Sequence, residues 1–150
     1  RRGALSPSTH IANTGETHVI SYIHSTTILI SDQERALDFY VHTLGWEKRI
    51  DAMMGDGYRF LTVAPPGGQA ELVLGPVEVL GGEPGVGITR GRGMEGASGI
   101  TFHVEDVDGT YRTLSERGVR FAGPPQPMPW GDRAVWMLDP DGNRFFLTGS

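Results

Sequence analysis

Apolar and polar positions change their period along the chain, and the changes divide it into elements. From Tyr22 to Ile30, Ile23, Ser25, Thr27 and Leu29 alternate with His24, Thr26, Ile28 and Ile30. This period of two and the β-branched content predict a strand. Ser31-Asp-Gln-Glu34 reads as a capping box with Ser31 as the cap. Behind it, Leu37, Tyr40, Val41 and Leu44 form one apolar helix face, and Gly45 ends the helix. Trp46–Asp51, Arg59–Val63 and Ala70–Leu74 read as three strands. Gly55-Asp56-Gly57 and Pro65-Pro66-Gly67-Gly68 make the turns between them.

The same order then recurs. Ile100–Val104 reads as a strand, Asp106 as a cap, and Val107, Tyr111 and Leu114 as a helix stripe closed by Gly118. Val119–Ala122, Arg133–Leu138 and Arg144–Thr148 read as strands, the last two joined by the tight turn Asp139-Pro-Asp-Gly-Asn143. Val104 follows Ile30 by 74 residues and Gly118 follows Gly45 by 73. A period this long indicates a duplicated strand–helix–strand–strand–strand module rather than a solenoid. One module cannot bury both faces of its sheet. The helix covers one face, and the other is expected to meet its twin in a shared half-open barrel with a cavity for a small ligand.

The expected organisation is an arm at 1–18 and one domain at 19–150. Module one spans 19–75, a Gly-rich linker 76–96, and module two 97–150. Composition explains the linker: seven of the 22 glycines fall in its 21 residues, and only Val77–Leu80 offers a regular element. Arg90-Gly91-Arg92-Gly93 has no strand–helix context for a phosphate loop, so a flexible linker is the simpler reading.

Composition also excludes functions. There is no cysteine, hence no disulfide, thiolate metal site or cysteine nucleophile. A net charge of −5 argues against a nucleic-acid partner and a basic membrane-surface helix, and no apolar run is long enough to span a bilayer. Residues 1–18 lack the apolar stretch of a secretory signal, and a cytoplasmic location is expected.

Three motifs carry a resemblance. Ile30-Ser31-Asp32 through Arg35-Ala36-Leu37 and Phe39-Tyr40 to Leu44-Gly45-Trp46 resembles the first module of the vicinal oxygen chelate superfamily. That superfamily includes glyoxalase I, bleomycin-resistance proteins and extradiol dioxygenases. Val104-Glu105-Asp106-Val107-Asp108 resembles its second helix start. Trp130-Gly131-Asp132-Arg133 with Asp139–Asn143 resembles its C-terminal signature. The resemblance implies an α+β fold of two tandem βαβββ modules forming a half-open mixed β-barrel, and a homodimer. In the metalloenzymes it also implies four inner-face ligands on one divalent metal. Carried over one at a time, those positions fall on Ser25, Glu71, Gly99 and Phe146. Only Glu71 is a ligand type, and one carboxylate does not make such a site. His24 lies one residue from Ser25, so its side chain is expected on the opposite face.

Candidate site residues follow. Ser25, Thr27, Glu71, His103, Trp130, Arg133 and Phe146 are expected to bind ligand, and Glu71 and His103 are the candidates for acid–base work. For Glu71 the rival role is a structural ion pair with Arg59 or Arg144. For His103 it is a half-exposed, hydrogen-bonded ring. Trp130 stacks on a planar ligand or serves as packing. Phe146 makes the pocket apolar. His10, His18 and His42 read as surface residues. The expectation is a protein with no cofactor that binds a small aromatic or hydrophobic molecule and resembles the bleomycin-resistance branch. The alternative is a glyoxalase-like lyase or dioxygenase using a divalent metal, or a metal-independent enzyme using Glu71 or His103.

Overall fold

The structure is a computed structural model, and it describes residues 19–85 and 97–150. The expected arm at 1–18 and residues 86–96 of the linker, including Arg90–Gly93, lie outside the described residues. Module one runs β1 (Ser25–Ile30), α1 (Gln33–Leu37), β2 (Glu47–Met53), β3 (Arg59–Ala64) and β4 (Glu71–Pro76). A short α2 (Val77–Leu80) follows, at the one place in the linker where a regular element was expected. Module two runs β5 (Ala97–Val104), α3 (Val107–Glu116), β6 (Arg120–Phe121), β7 (Gln126–Pro127), β8 (Arg133–Leu138) and β9 (Arg144–Gly149). The strand order is β1-β4-β3-β2 in one sheet and β5-β9-β8-β6 in the other, with β7 also on β8. In each module the first strand runs parallel to the last, and the other pairings are antiparallel. The α+β class and the repeated module order are thus as expected.

Three local features differ from the expectation. Asp32, not Ser31, caps α1, accepting from the Glu34 and Arg35 amides. Ser31 is turned away because its hydroxyl donates to Asp141 Oδ1 at 2.7 Å. The first helix also widens into a π-helical turn over Asp38–Thr43. That shift buries Ala36, Phe39 and Tyr40 and leaves Leu37, Val41 and Leu44 half-buried. The first strand begins at Ser25, and Tyr22, Ile23 and His24 are exposed. Gly45 and Gly118 follow the two helices with φ of 82° and 89°, the left-handed conformation in which glycine has no steric penalty.

The second strand of module two is broken by a proline-rich approach into β6 and β7, which pair with opposite ends of β8.

The sheet faces pair differently within one chain from the barrel inferred above. Ile28, Ile30, Leu61, Val63, Leu72 and Leu74 of the first sheet share one core with Val135, Met137, Phe145 and Leu147 of the second. The helix residues Ala36, Phe39, Tyr40, Val107 and Leu114 belong to the same core. The helix-bearing faces therefore meet each other. On the helix-free faces, Thr27, Gly99, Thr101 and His103 are exposed. The reason is the number of apolar side chains. Two short helices with narrow stripes bury more by sharing a core than by each covering a separate sheet.

A polar clasp locks the modules together. The Tyr40 hydroxyl donates to Asp139 Oδ2 at 2.8 Å, and Asn143 Nδ2 donates to the Leu29 carbonyl at 3.0 Å. Asp139 also accepts from the Asn143 side chain and from the amides of Asp141 and Asn143. Arg35 reaches Asp141 at 2.9 Å. The Asp-Pro-Asp-Gly-Asn segment is therefore a turn, as expected, and also the main polar contact between modules. Burial pushes the Tyr40 hydroxyl pKa well up, with the Asp139 charge adding to it. Burial likewise raises Asp139, against the lowering effect of its Asn143 and Tyr40 bonds.

Candidate functional site

Strand parity places the site. On β8 and β9, Val135, Met137, Phe145 and Leu147 enter the core, so Trp136, Phe146 and Arg144 lie on the opposite, helix-free face. Trp136 and Phe146 are register partners, with ring centroids 4.9 Å apart at 56°. The Arg144 guanidinium sits over the Trp136 ring at 4.6 Å, within cation–π range. A cavity of about 160 Å³ lies against this pair, lined by Gly99, Ile100, Thr101, Trp136 and Phe146. A second, of about 270 Å³, is lined by the same two rings with Ala134 and the Ala122–Met128 approach. The ring pair is thus a shared wall between two open, mainly apolar hollows.

The candidates read from the sequence do not converge on one point. Phe146 is in this wall. Ser25 and Glu71 are register partners on β1 and β4 of the other sheet, and Thr27 is exposed two residues on. Glu71 Oε1 accepts from the Thr62 hydroxyl at 2.8 Å, and Oε2 lies 3.9 Å from Arg49 Nη1. Its ion-pair partner is therefore Arg49, not Arg59 or Arg144. Arg59 is held instead by Asp51 and Glu34. His103 is exposed on β5, with Nε2 3.4 Å from Glu105 Oε2, an ion pair when the ring is protonated. Arg133 faces away from any ligand position described here. Its guanidinium makes two hydrogen bonds to Asp108, at 2.6 and 3.1 Å, and ties β8 to the start of α3. Trp130 is 61 % exposed and does not line either hollow.

Trp136 was missed as a site residue, although its signal was present. It alternates with Val135 and Met137, and it sits three residues before the Asp-Pro-Asp-Gly-Asn turn, on the face that Phe146 takes after it.

The four positions aligned with metal ligands do not fit a divalent ion. Glu71 already accepts from Thr62. Gly99 has no donor and a φ of 81°, which disfavours a side chain there. Phe146 is committed to the Trp136 ring. Among the described residues, no group of three or more His, Asp or Glu is placed to hold a metal. No described helix is long and apolar enough to cross a membrane.

The family model for the Glyoxalase/Bleomycin resistance protein/Dioxygenase superfamily matches residues 22–147. A solved member of that superfamily from Sphaerobacter thermophilus DSM 20745 is 49 % identical, with a TM-score of 0.78, covering 87 % of this chain and 98 % of that one. TnmS3, an antibiotic binding protein from Streptomyces sp. CB03234, is 35 % identical with a TM-score of 0.72, covering 89 % of this chain and 98 % of its own. The uncharacterized protein YetH of Bacillus subtilis (strain 168) is 32 % identical over 129 residues, 86 % of this chain and 98 % of that protein. The two-module fold, the shared motifs and these matches agree: the chain belongs to the Glyoxalase/Bleomycin resistance protein/Dioxygenase superfamily.

Proposed function

We propose that the protein binds a small aromatic or hydrophobic molecule without metal and without chemistry, on the helix-free face of its second sheet. The observation that carries this is the Trp136–Phe146 wall, in which Phe146 holds the position that the resemblance assigns to a metal ligand. Two rings at 4.9 Å with apolar hollows on either side offer stacking and desolvation, and they offer no Lewis acid. The antibiotic-binding activity of TnmS3 supports the reading by analogy.

The protein works as a homodimer in this account. Each hollow is smaller than the roughly 300 Å³ at which ligand pockets begin, and both are open to solvent. A second copy laid over this face closes them. The outer edges of β1 and β5 end their sheets and are suited to such a contact.

The test is a titration with 8-anilinonaphthalene-1-sulfonate, whose fluorescence rises in apolar sites. The wild type binds saturably, and Trp136→Ala weakens binding at least about tenfold, the loss of one stacked ring and its buried area. Trp130→Ala leaves binding unchanged. Equal affinity of a folded Trp136→Ala variant and the wild type sinks the assignment.

A further inference from the structure

The core-facing side of the second sheet carries a hollow of its own, at the seam with module one. Its volume is about 220 Å³, and it shares no lining residue with the two hollows on the Trp136–Phe146 wall. Its floor is Phe102 and Val104 of β5, Met137 of β8 and Leu147 of β9, which all point to the core side. Leu114 of α3 closes one flank. Leu44 and Trp46, at the end of the first helix, close the other. His103 borders the hollow as part of the edge strand, but strand parity turns its side chain to the opposite face, where it is exposed.

The hollow persists because its walls are braced from behind. Gly45, at a φ of 82°, turns the chain so that Trp46 crosses the seam. The Trp46 amide donates to the Tyr40 carbonyl at 2.9 Å, and its ring lies 5.4 Å from the Tyr40 ring. The same ring meets Phe102 edge to face at 5.2 Å, and Phe102 is stacked on Phe145 at 5.1 Å. Collapse into the space would break these contacts.

The lining defines the occupant. Leu44, Trp46, Phe102 and Val104 are only half-buried, so they hold apolar area that a bound molecule would remove from water. Among the described residues that line the hollow, none is Lys, Arg, Asp or Glu, so a charged guest would lose its hydration without compensation. Thr110 carries the single side-chain hydroxyl in that lining. It lies four residues before Leu114, on the same face of α3. A trapped water needs roughly two to four polar partners, and one hydroxyl is a poor host for it. An apolar cavity of about 150 Å³ accommodates benzene, so this one admits a single ring with small substituents.

We propose that the seam is a binding site for a neutral monocyclic aromatic molecule carrying one hydrogen-bonding group. The ring lies between the Trp46–Phe102 pair and Leu114, and its polar group meets the Thr110 hydroxyl. The sheet separates this site from the outer face, and neither reading depends on the other.

The three tryptophans make the sites separately readable. In protein labelled with ¹⁵N-tryptophan, the indole N–H of Trp46 reports the seam, that of Trp136 the outer face, and that of Trp130 an exposed control. The probes at pH 7 are p-cresol, toluene, which lacks the hydroxyl, and 4-methylbenzoate, which is anionic. The expected result is a saturable shift of the Trp46 signal with p-cresol and with toluene, and binding at least about tenfold weaker for 4-methylbenzoate. Thr110→Val keeps the side-chain shape and removes one hydrogen bond. It weakens p-cresol about fivefold at Trp46 and does not weaken toluene. Thr110→Phe fills the hollow and abolishes both responses. Leu44→Phe, at another half-buried position, does the same from the opposite flank should Thr110→Phe fail to fold. The proposal fails if Trp46 does not shift, if the anion binds it as well as p-cresol, or if a folded filling variant responds like the wild type. Equal losses for p-cresol and toluene in Thr110→Val, or no loss for either, overturn the contact and with it the ligand class. The proposal also fails if the Trp46 signal moves on dilution of the protein alone, since a second copy then covers the seam. A response at Trp136 only overturns this site while leaving the outer-face reading intact.

Discussion

Tyr40→Phe removes one hydroxyl from the middle of the molecule and nothing else. In the wild type that hydroxyl donates to Asp139 at 2.8 Å, with Tyr40 0 % and Asp139 1 % exposed. The remaining donors on Asp139 are the Asn143 side chain and two amides, so the carboxylate stays partly satisfied and the structure need not rearrange. A buried hydrogen bond to a charged group contributes about 1.5–3 kcal/mol. Taking roughly 2 kcal/mol, the melting temperature of a chain this long falls by roughly 4–8 °C. The effect also has a sign in pH. Burial holds the Asp139 pKa above its ordinary value. Its contribution to stability is therefore fully present below the unfolded-state pKa and is lost as pH rises through the raised folded value. The Tyr40 hydroxyl offsets part of that cost by solvating the ionised form. Its removal therefore costs most at neutral pH, and the difference from wild type shrinks as Asp139 becomes protonated. Urea unfolding followed by circular dichroism, at pH 7 and in steps down to about pH 4, measures both effects. A loss below about 0.5 kcal/mol at neutral pH, or a loss that does not shrink on acidification, refutes the reasoning.

Three further perturbations follow from the same contacts. In Gly149→Ala the new methyl carbon would lie 1.8 Å from the Val104 carbonyl oxygen across the β5–β9 pair, a backbone atom with no room to move. Thermal melts should show a loss at the upper end of the roughly 1–3 kcal/mol range for overpacking, and a wild-type melt contradicts the pairing described. Arg133→Ala breaks the two bonds to Asp108, so it lowers the melting temperature and leaves dye affinity unchanged. A selective loss of binding would return Arg133 to the ligand site. Asp51 is held far below the usual carboxylate range by hydrogen bonds from Arg59 and then Lys48. A depressed pKa stabilises above the unfolded value and is lost as pH falls through the folded one. Asp51→Asn should therefore lower the melting temperature at neutral pH, with a difference that fades in strong acid and in high salt, because the group is exposed. A difference constant across pH rejects the ion-pair origin.

Much of the fold was legible because local signals were redundant. Alternation marked β1, β8 and β9, and Asp106 marked the start of α3 by accepting from the Gly109 amide. Ser31 was misread as a cap because a capping box is a local pattern, and the competing partner, Asp141, is 110 residues away. The π-helical turn left no mark in an apolar stripe that fits an α-helix equally well. The meeting of the two helix-bearing faces was illegible for the same reason: strand parity says which residues share a face and not what that face meets. The partner of Glu71 could not be chosen among arginines by charge alone. Its identity depended on the register of β3 against β4, which puts Thr62 opposite Val73 and beside Glu71. Trp136 and Phe146 were separately visible, but their ring contact required the β8–β9 register.

The central claim is that this chain binds an aromatic or apolar molecule, as a dimer and without a metal. Native mass spectrometry of freshly purified, untagged protein reads subunit number, bound metal and any retained small molecule in one spectrum. The account predicts a dimer with no divalent metal, which gains the mass of 8-anilinonaphthalene-1-sulfonate on addition and loses that gain in Trp136→Ala. One divalent metal per chain, or a metal-free protein that takes up no dye, contradicts it.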